Sequence, residues 1–224
     1  MKQDSVEAQI YLANQRGLTE LDWLRSWQVF NFGPYQVEGR QPFGDLQVFN
    51  DDTLQAGARL RMQAEGNTRV LILPLVGGIE YTDGMGGHTF IAAGQTLEVT
   101  TPNSLSYEIA NPYEEELINF LQIWIHQETD AYRLASQSFE LSPGNQLVPI
   151  SQDQPYYIGQ YDGRAEGQYT LINPAKGVFI FCIEGAFEMQ NRLLESRDGL
   201  SLEHTDTVEF EALSSGAIGL IMEV

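Results

Sequence analysis

The chain is 224 residues long, 42% of them apolar, and carries 31 acidic against 12 basic side chains for a formal charge of −19. A surface of that sign repels phosphate backbones and anionic lipid headgroups, which argues against nucleic acid and membranes as partners. The apolar share suffices for a sizeable core in one large domain or two small ones, so wholesale disorder is excluded.

The opening segment MKQDSVEAQIYLANQ has no apolar run of signal-peptide length, and no stretch reaches the roughly 20 apolar residues that a membrane helix needs. A cytoplasmic protein is expected. Aromatic residues follow at Trp23, Trp27, Phe30, Phe32 and Tyr35, which either line a pocket or pack a core. From there on, short runs rich in β-branched and aromatic residues recur between Gly, Pro, Asn and Asp, the pattern of an all-β protein. In Ala58–Glu65, ARLRMQAE, the polar set Arg59, Arg61, Gln63 and Glu65 alternates with Ala58, Leu60, Met62 and Ala64, so an extended segment puts the four polar side chains on one face. Val70–Leu75 leads through Gly77-Gly78 into IEYTD, the turn DGMGG and the strand HTFIA, a hairpin succession whose glycines supply positive φ. Pro74 cannot donate to a ladder, which assigns its strand to an edge or a bulge. The acidic run Glu114-Glu115-Glu116 reads as a solvated loop. In Asn119–His126, NFLQIWIH, Phe120, Gln122 and Trp124 share one face, and Leu121, Ile123 and Ile125 the other.

Gln127–Gln146 is polar, ends in Ser-Pro-Gly-Asn and reads as a linker with one helical turn near Ala131–Ala135. Beyond it the earlier pattern returns. Val70–Asp83 (VLILPLVGGIEYTD) and Val178–Asn191 (VFIFCIEGAFEMQN) align Gly77 with Gly185 and Ile79-Glu80 with Phe187-Glu188, an offset of 185 − 77 = 108 residues. A duplicated β-barrel accounts for this, with the N-terminal barrel in 1–126, the linker in 127–146 and the C-terminal barrel in 147–224.

Tyr11–Tyr35 (YLANQRGLTELDWLRSWQVFNFGPY), Phe43–Gly57 (FGDLQVFNDDTLQAG) and Leu121–Ile125 (LQIWI) together resemble the pirin family. The resemblance implies two tandem cupin, or jelly-roll, barrels, with the N-terminal segment closing on the first barrel and its aromatics packed there. Some members of the family act as quercetin 2,3-dioxygenases. It also implies a mononuclear metal, usually iron, held by two histidines one residue apart and then by a histidine and a glutamate one residue apart. Counting back from VGGIEYTD puts the first pair on Gln63 and Glu65; counting back from Asn111-Pro112 puts the second on Tyr107 and Ile109. None of the four is histidine, and there is none between Ala56 and Gly87. An amide oxygen and a phenol are poor ligands for iron, zinc or copper at neutral pH, and isoleucine is none.

No metal and no other cofactor is therefore expected. Gln63, Glu65, Tyr107 and Ile109 become the candidate pocket of a metal-free protein that binds a small molecule or a protein partner in a regulatory or sensing role. The alternative is a divergent quercetin 2,3-dioxygenase that recruits metal through other ligands. A metal-independent isomerase would need a base, for which His88, Glu65 and Tyr107 are the candidates. If the polar face of Ala58–Glu65 turns inward, Glu65 needs a charge partner, and Arg61 or Arg69 is expected to fill the volume that the metal takes in the family. The other reading puts Arg59, Arg61 and Glu65 on an outer face.

His88, His126 and His204 fall in three different elements without metal-ligand spacing and read as surface or strand-end residues. Cys182, the lone cysteine, sits in FIFCIE and reads as a small buried hydrophobe, not a nucleophile. The turn DGMGG lacks the lysine of a phosphate loop, and no G-x-S-x-G elbow occurs.

Overall fold

The structure, a computed structural model, describes residues 6–142 and 144–224. Strand β1 (Glu7–Tyr11) precedes a 3-10 turn at Ala13–Gln15. A first compact unit then spans Gly17–Ser138. Its strands are β2 (Gly17–Leu21), β3 (Leu24–Gln28), β4 (Leu46–Leu54), β5 (Arg59–Ala64), β6 (Thr68–Val76), β7 (Gly78–Asp83), β8 (His88–Ala92), β9 (Gln95–Thr101), β10 (Leu105–Ala110), β11 (Ile118–His126) and β12 (Arg133–Ser138). They form one sheet in the order β12-β9-β6-β11-β4-β3-β2 and a shorter one in the order β5-β10-β7-β8. The second unit takes β1 and the chain from Phe139 on. It adds β13 (Gln146–Pro149), β14 (Tyr156–Tyr161), β15 (Glu166–Thr170), β16 (Val178–Glu184), β17 (Ala186–Met189), β18 (Arg192–Glu195), β19 (Gly199–Glu203), β20 (Thr207–Ala212) and β21 (Ala217–Glu223). Its sheets run β1-β19-β16-β21-β14-β13 and β15-β20-β17-β18, so the strand order of the first barrel is repeated.

The expected duplication holds down to single residues. Gly77 (φ +75°) and Gly185 (φ +76°) both occupy the left-handed region between the long strand and its hairpin partner, where a side chain is strained. A Cβ on Gly185 would also meet Ser214 Oγ at 2.3 Å and Ala217 Cβ at 2.9 Å. Pro74 sits at a bulge: the β11–β6 register shifts between Asn119 and Phe120, and the β6–β9 ladder ends at Ile72, so no neighbour on that side needs its missing N–H. The second barrel has its own register shift between Cys182 and Glu184. Alternate residues of β6, β9, β10 and β11 fill the first core around Val70, Ile72, Val99, Ile109 and Phe120.

Two expectations about organisation are corrected. The segment read as a linker contains β12, which pairs with β9 from Arg133↔Thr100 to Ser138↔Gln95 and replaces the helical turn expected at Ala131–Ala135. Backbone pairing at a sheet edge needs no strong apolar alternation, which is why a polar sequence forms this strand. The described residues before Gly17 belong to the second unit, where the N-terminal segment was expected to close on the first barrel. β1 pairs with β19 from Glu7↔Glu203 to Tyr11↔Gly199, Tyr11 packs edge-on against Phe179 at 5.9 Å, and Ala13 N donates to Asp198 Oδ1 at 2.7 Å. The aromatics after Gly17 do pack on the first unit, with Phe30 buried and Phe32 edge-on to Trp124 at 5.8 Å, whereas Trp23 is 38% exposed. No helix among the described residues is long and apolar enough to cross a membrane.

Candidate functional site

The first barrel's short sheet decides which candidate residues can meet. β5 pairs with β10 from Arg59↔Ala110 to Ala64↔Leu105, with Leu60 and Ala64 buried and Arg59, Arg61 and Gln63 exposed. Burying the apolar set forces the polar set outward, since side chains alternate across a strand. Glu65, just past the strand, is exposed as well. The inward reading of Glu65 is therefore overturned, and so is its guanidinium partner. Arg61 Nε and Arg59 Nη1 donate to Glu108 at 2.8 and 2.6 Å on the solvent side, which holds the Glu108 carboxyl below its usual range. Arg69 is buried, but it pairs with Glu98 and donates to Gln127 Oε1 at 2.5 Å, on the face of β6 opposite to Val70 and Ile72. Gln63 donates to Ser104 Oγ at 2.9 Å.

Tyr107 and Ile109 do point inward, both buried. Ile109 is plain core. The Tyr107 hydroxyl donates to Gln122 Oε1 and accepts from Trp124 Nε1 at 2.8 Å, and its ring stacks on Tyr81 at 5.7 Å. Burial pushes the Tyr107 phenol well above its ordinary range. Gln122 Nε2 in turn donates to Asp52 Oδ2 at 3.0 Å. Asp52 is 1% exposed; burial, reinforced by neighbouring Asp51 and opposed by Ser26 and Gln122, raises its pKa to about 7. At the far end of the stack, Asp83 accepts from Tyr132 at 2.7 Å, from Tyr81 at 3.0 Å, and from the backbone N–H groups of Met85 and Gly87. Partial burial pushes the Asp83 carboxyl up, but these donors outweigh it and leave it below the usual range.

A groove of about 440 Å³ opens over β5, β10 and β7, bordered by Arg61, Gln63, Thr82, Asp83, Ser106 and Glu108, with Met62 and Tyr107 beneath. The structure thus brings Arg61, Gln63 and Tyr107 to one groove and leaves Glu65, Arg69 and Ile109 out of it. The equivalent groove of the second barrel, about 520 Å³, is bordered by Glu166, Glu188, Glu209 and Glu211.

The donors present do not fit the family's metal. His88, His126 and His204 are all exposed, and among the described residues no three His, Cys, Asp or Glu side chains are grouped to hold an ion. The groups facing the first core near Tyr107 are a phenol, an amide and an indole, each already hydrogen-bonded, and none replaces an imidazole. The three candidate bases do not meet: His88 lies opposite exposed Thr82, Glu65 faces solvent, and Tyr107 is inside. Cys182 is fully buried and its thiol is pushed up to about 12, chiefly by burial, as expected of an inert core cysteine.

Asp52, Tyr81 and the bonding role of Gln122 and Trp124 escaped sequence reasoning. Gln122 carried the one usable signal: an amide between Phe120 and Trp124 on an inward face must find polar partners or be left unsatisfied.

Comparison with known proteins agrees with this architecture. A family model described as the quercetinase C-terminal cupin domain matches residues 135–224. Quercetin 2,3-dioxygenase of Escherichia coli strain K12 is 32% identical over 223 residues, spanning 93% of this chain and 96% of that relative. The crystal structure of YhhW from Escherichia coli superimposes with a TM-score of 0.87 at 24% identity, covering 96% of this chain and 97% of that one. A second structure, of bacterial pirin YhhW in complex with nickel(II), gives 0.85 at 23% identity over 96% and 98% of the two chains.

Proposed function

From the premise that this chain belongs to the pirin family of two-cupin proteins, we propose that it works as a metal-free binding protein with a regulatory or sensing role. One observation carries the reading: of the four positions where the family's ligands fall, Gln63 and Glu65 face solvent, Ile109 is core, and the Tyr107 hydroxyl already serves Gln122 and Trp124. The groove over β5, β10 and β7 is then the place for a small polar molecule or a segment of a protein partner. Arg61, paired with Glu108, and the Asp83 carboxylate bring charges of both signs there, and Thr82, Ser106 and Gln63 add donors and acceptors. Such a border favours a ligand bearing both donors and acceptors over a purely anionic one.

The second reading, a quercetin 2,3-dioxygenase, is favoured by the name and 32% identity of the Escherichia coli relative. Elemental analysis of protein expressed in medium supplemented with iron, nickel, copper and manganese separates the two, combined with a quercetin oxidation assay. We expect metal far below one ion per chain and no loss of quercetin absorbance. Near-stoichiometric metal together with flavonol cleavage would establish the enzyme and end the first reading.

A further inference from the structure

Where β3, β4 and β11 meet, the inward face of the first barrel's larger sheet is short of hydrogen-bond donors. Ser26 lies opposite Asp52 and Asp52 opposite Phe120; in the next row Gln28 lies opposite Asn50 and Asn50 opposite Gln122. These polar side chains are buried on one face with Leu24, Leu54 and Phe120. The Gln122 amide donates to Asp52 Oδ2 and the Ser26 hydroxyl also serves this carboxyl, but Asp52 Oδ1 is left without a partner, and Asn50 Oδ1 and Gln28 Oε1 are buried without a donor too. The Gln28 amide N–H groups are directed to Thr19 and Ser26. All three acceptor oxygens are closed off from solvent, with no water-sized space against them. A bridging water has no room unless the packing moves.

Two titratable groups bear on Asp52: Asp51, its chain neighbour, which repels a negative charge, and Tyr107, reached through Gln122. Among the described residues no guanidinium, ammonium or imidazole pairs with it. An ionised carboxylate here is buried, half unsatisfied and beside a second carboxylate, three conditions that each favour the neutral form.

We propose that Asp52 is a neutral carboxylic acid in the native first barrel, a proton site built into the sheet whose O–H supplies the donor this face lacks and whose loss loosens the barrel as the pH rises. Asn50 Oδ1, two residues along the same face, is the acceptor closest in sequence. A pKa raised to about 7 by burial agrees with this geometry. An aspartate of the unfolded chain titrates near about 3.9. Between that value and about 7 the folded chain holds a proton that the unfolded chain has lost, so stability falls as the pH rises through this window. The contribution is complete below the unfolded value and gone above the folded one.

Thermal unfolding of the full chain and of Asp52→Asn, followed from about pH 5 to about pH 8.5, tests this. The asparagine amide supplies a donor without titrating. The wild-type midpoint is expected to fall relative to the variant as the pH rises, with the variant the more stable of the two at the alkaline end. Parallel curves overturn the proposal. Carbon-13 NMR of the wild-type chain with labelled aspartate carboxyls gives a readout that does not depend on the variant folding. One carboxyl is expected to titrate near neutrality; if every aspartate titrates in the ordinary acidic range, the proton site does not exist.

Discussion

The two barrels repeat one strand order, yet they treat a buried carboxylate in opposite ways. With the 108-residue offset between Gly77 and Gly185, Ile72 corresponds to Ile180, Pro74 to Cys182 and Val70 to Val178. The strand partners then give the rest of the correspondence. Gln122, opposite Ile72, becomes Ile221, opposite Ile180. Asp52, reached across Phe120 from Pro74, becomes Gly159, reached across Gly219 from Cys182. Trp124, opposite Val70, becomes Glu223, opposite Val178. Gln122 and Asp52 of the first barrel are thus an isoleucine and a glycine in the second, and Glu223, a buried acid of the second barrel, stands at the end of its strand. Glu223 is 2% exposed and accepts from Tyr169 Oη at 2.5 Å, Ile172 N at 2.5 Å and Asn173 N at 3.1 Å. Asp52 has the Gln122 amide and the Ser26 hydroxyl, and its Oδ1 is left without a partner. The contrast teaches that burial alone does not fix a carboxylate's role. Three donors make an anchor that ties a loop to a strand, and a shortage of donors makes a place for a proton.

The contrast breaks most easily at its anchored end. Glu223→Leu leaves a phenol and two backbone N–H groups without their acceptor and is expected to destabilise the chain by about 3 kcal/mol or more in urea unfolding. A loss no larger than that of a surface substitution means the three donors find other partners, and the comparison fails. Next come the paired glycines. Both have positive φ, but an added Cβ meets Ser214 Oγ at 2.3 Å at Gly185 and comes no nearer than 3.0 Å, to Ile118 Cγ2, at Gly77. Gly185→Ala is expected to cost roughly 2–3 kcal/mol and Gly77→Ala roughly 1–2 kcal/mol, the order of the two being the sharper test. Tyr107→Phe removes the hydroxyl between Gln122 and Trp124 and is expected to cost roughly 1–2 kcal/mol, with a change in tryptophan fluorescence as the indole N–H loses its acceptor. The smallest effect belongs to Arg61→Ala: its side chain is 84% exposed, so the unfolding midpoint stays put while binding in the groove weakens.

Much of the fold was readable before any coordinates. Gly77 and Gly185 betray the duplication because a positive φ between an apolar strand and a hairpin is a local demand, and Pro74 marks its own bulge for the same reason. The site was less readable. The alternation in Ala58–Glu65 groups Arg59, Arg61 and Gln63 correctly, but the side they face depends on pairing with β10 some 40 to 50 residues away, and a one-residue slip reverses it. Asp52 lies in FNDDTL, which by composition resembles a turn; only its pairing with β3 and β11 makes it interior. Likewise Arg133–Ser138 becomes a strand because β9 offers an open edge, which no property of its own residues announces.

Cys182 carries a last consequence. It is the chain's single thiol, it is 0% exposed, and its Sγ lies against the carbonyls of Glu184 and Gly185 at the second barrel's bulge. A thiol reagent added to native protein can reach it only when that region opens, so the rate of modification is a clock for transient opening around Cys182 in the second barrel. The chain thus comes with its own reporter, one that needs no engineered label.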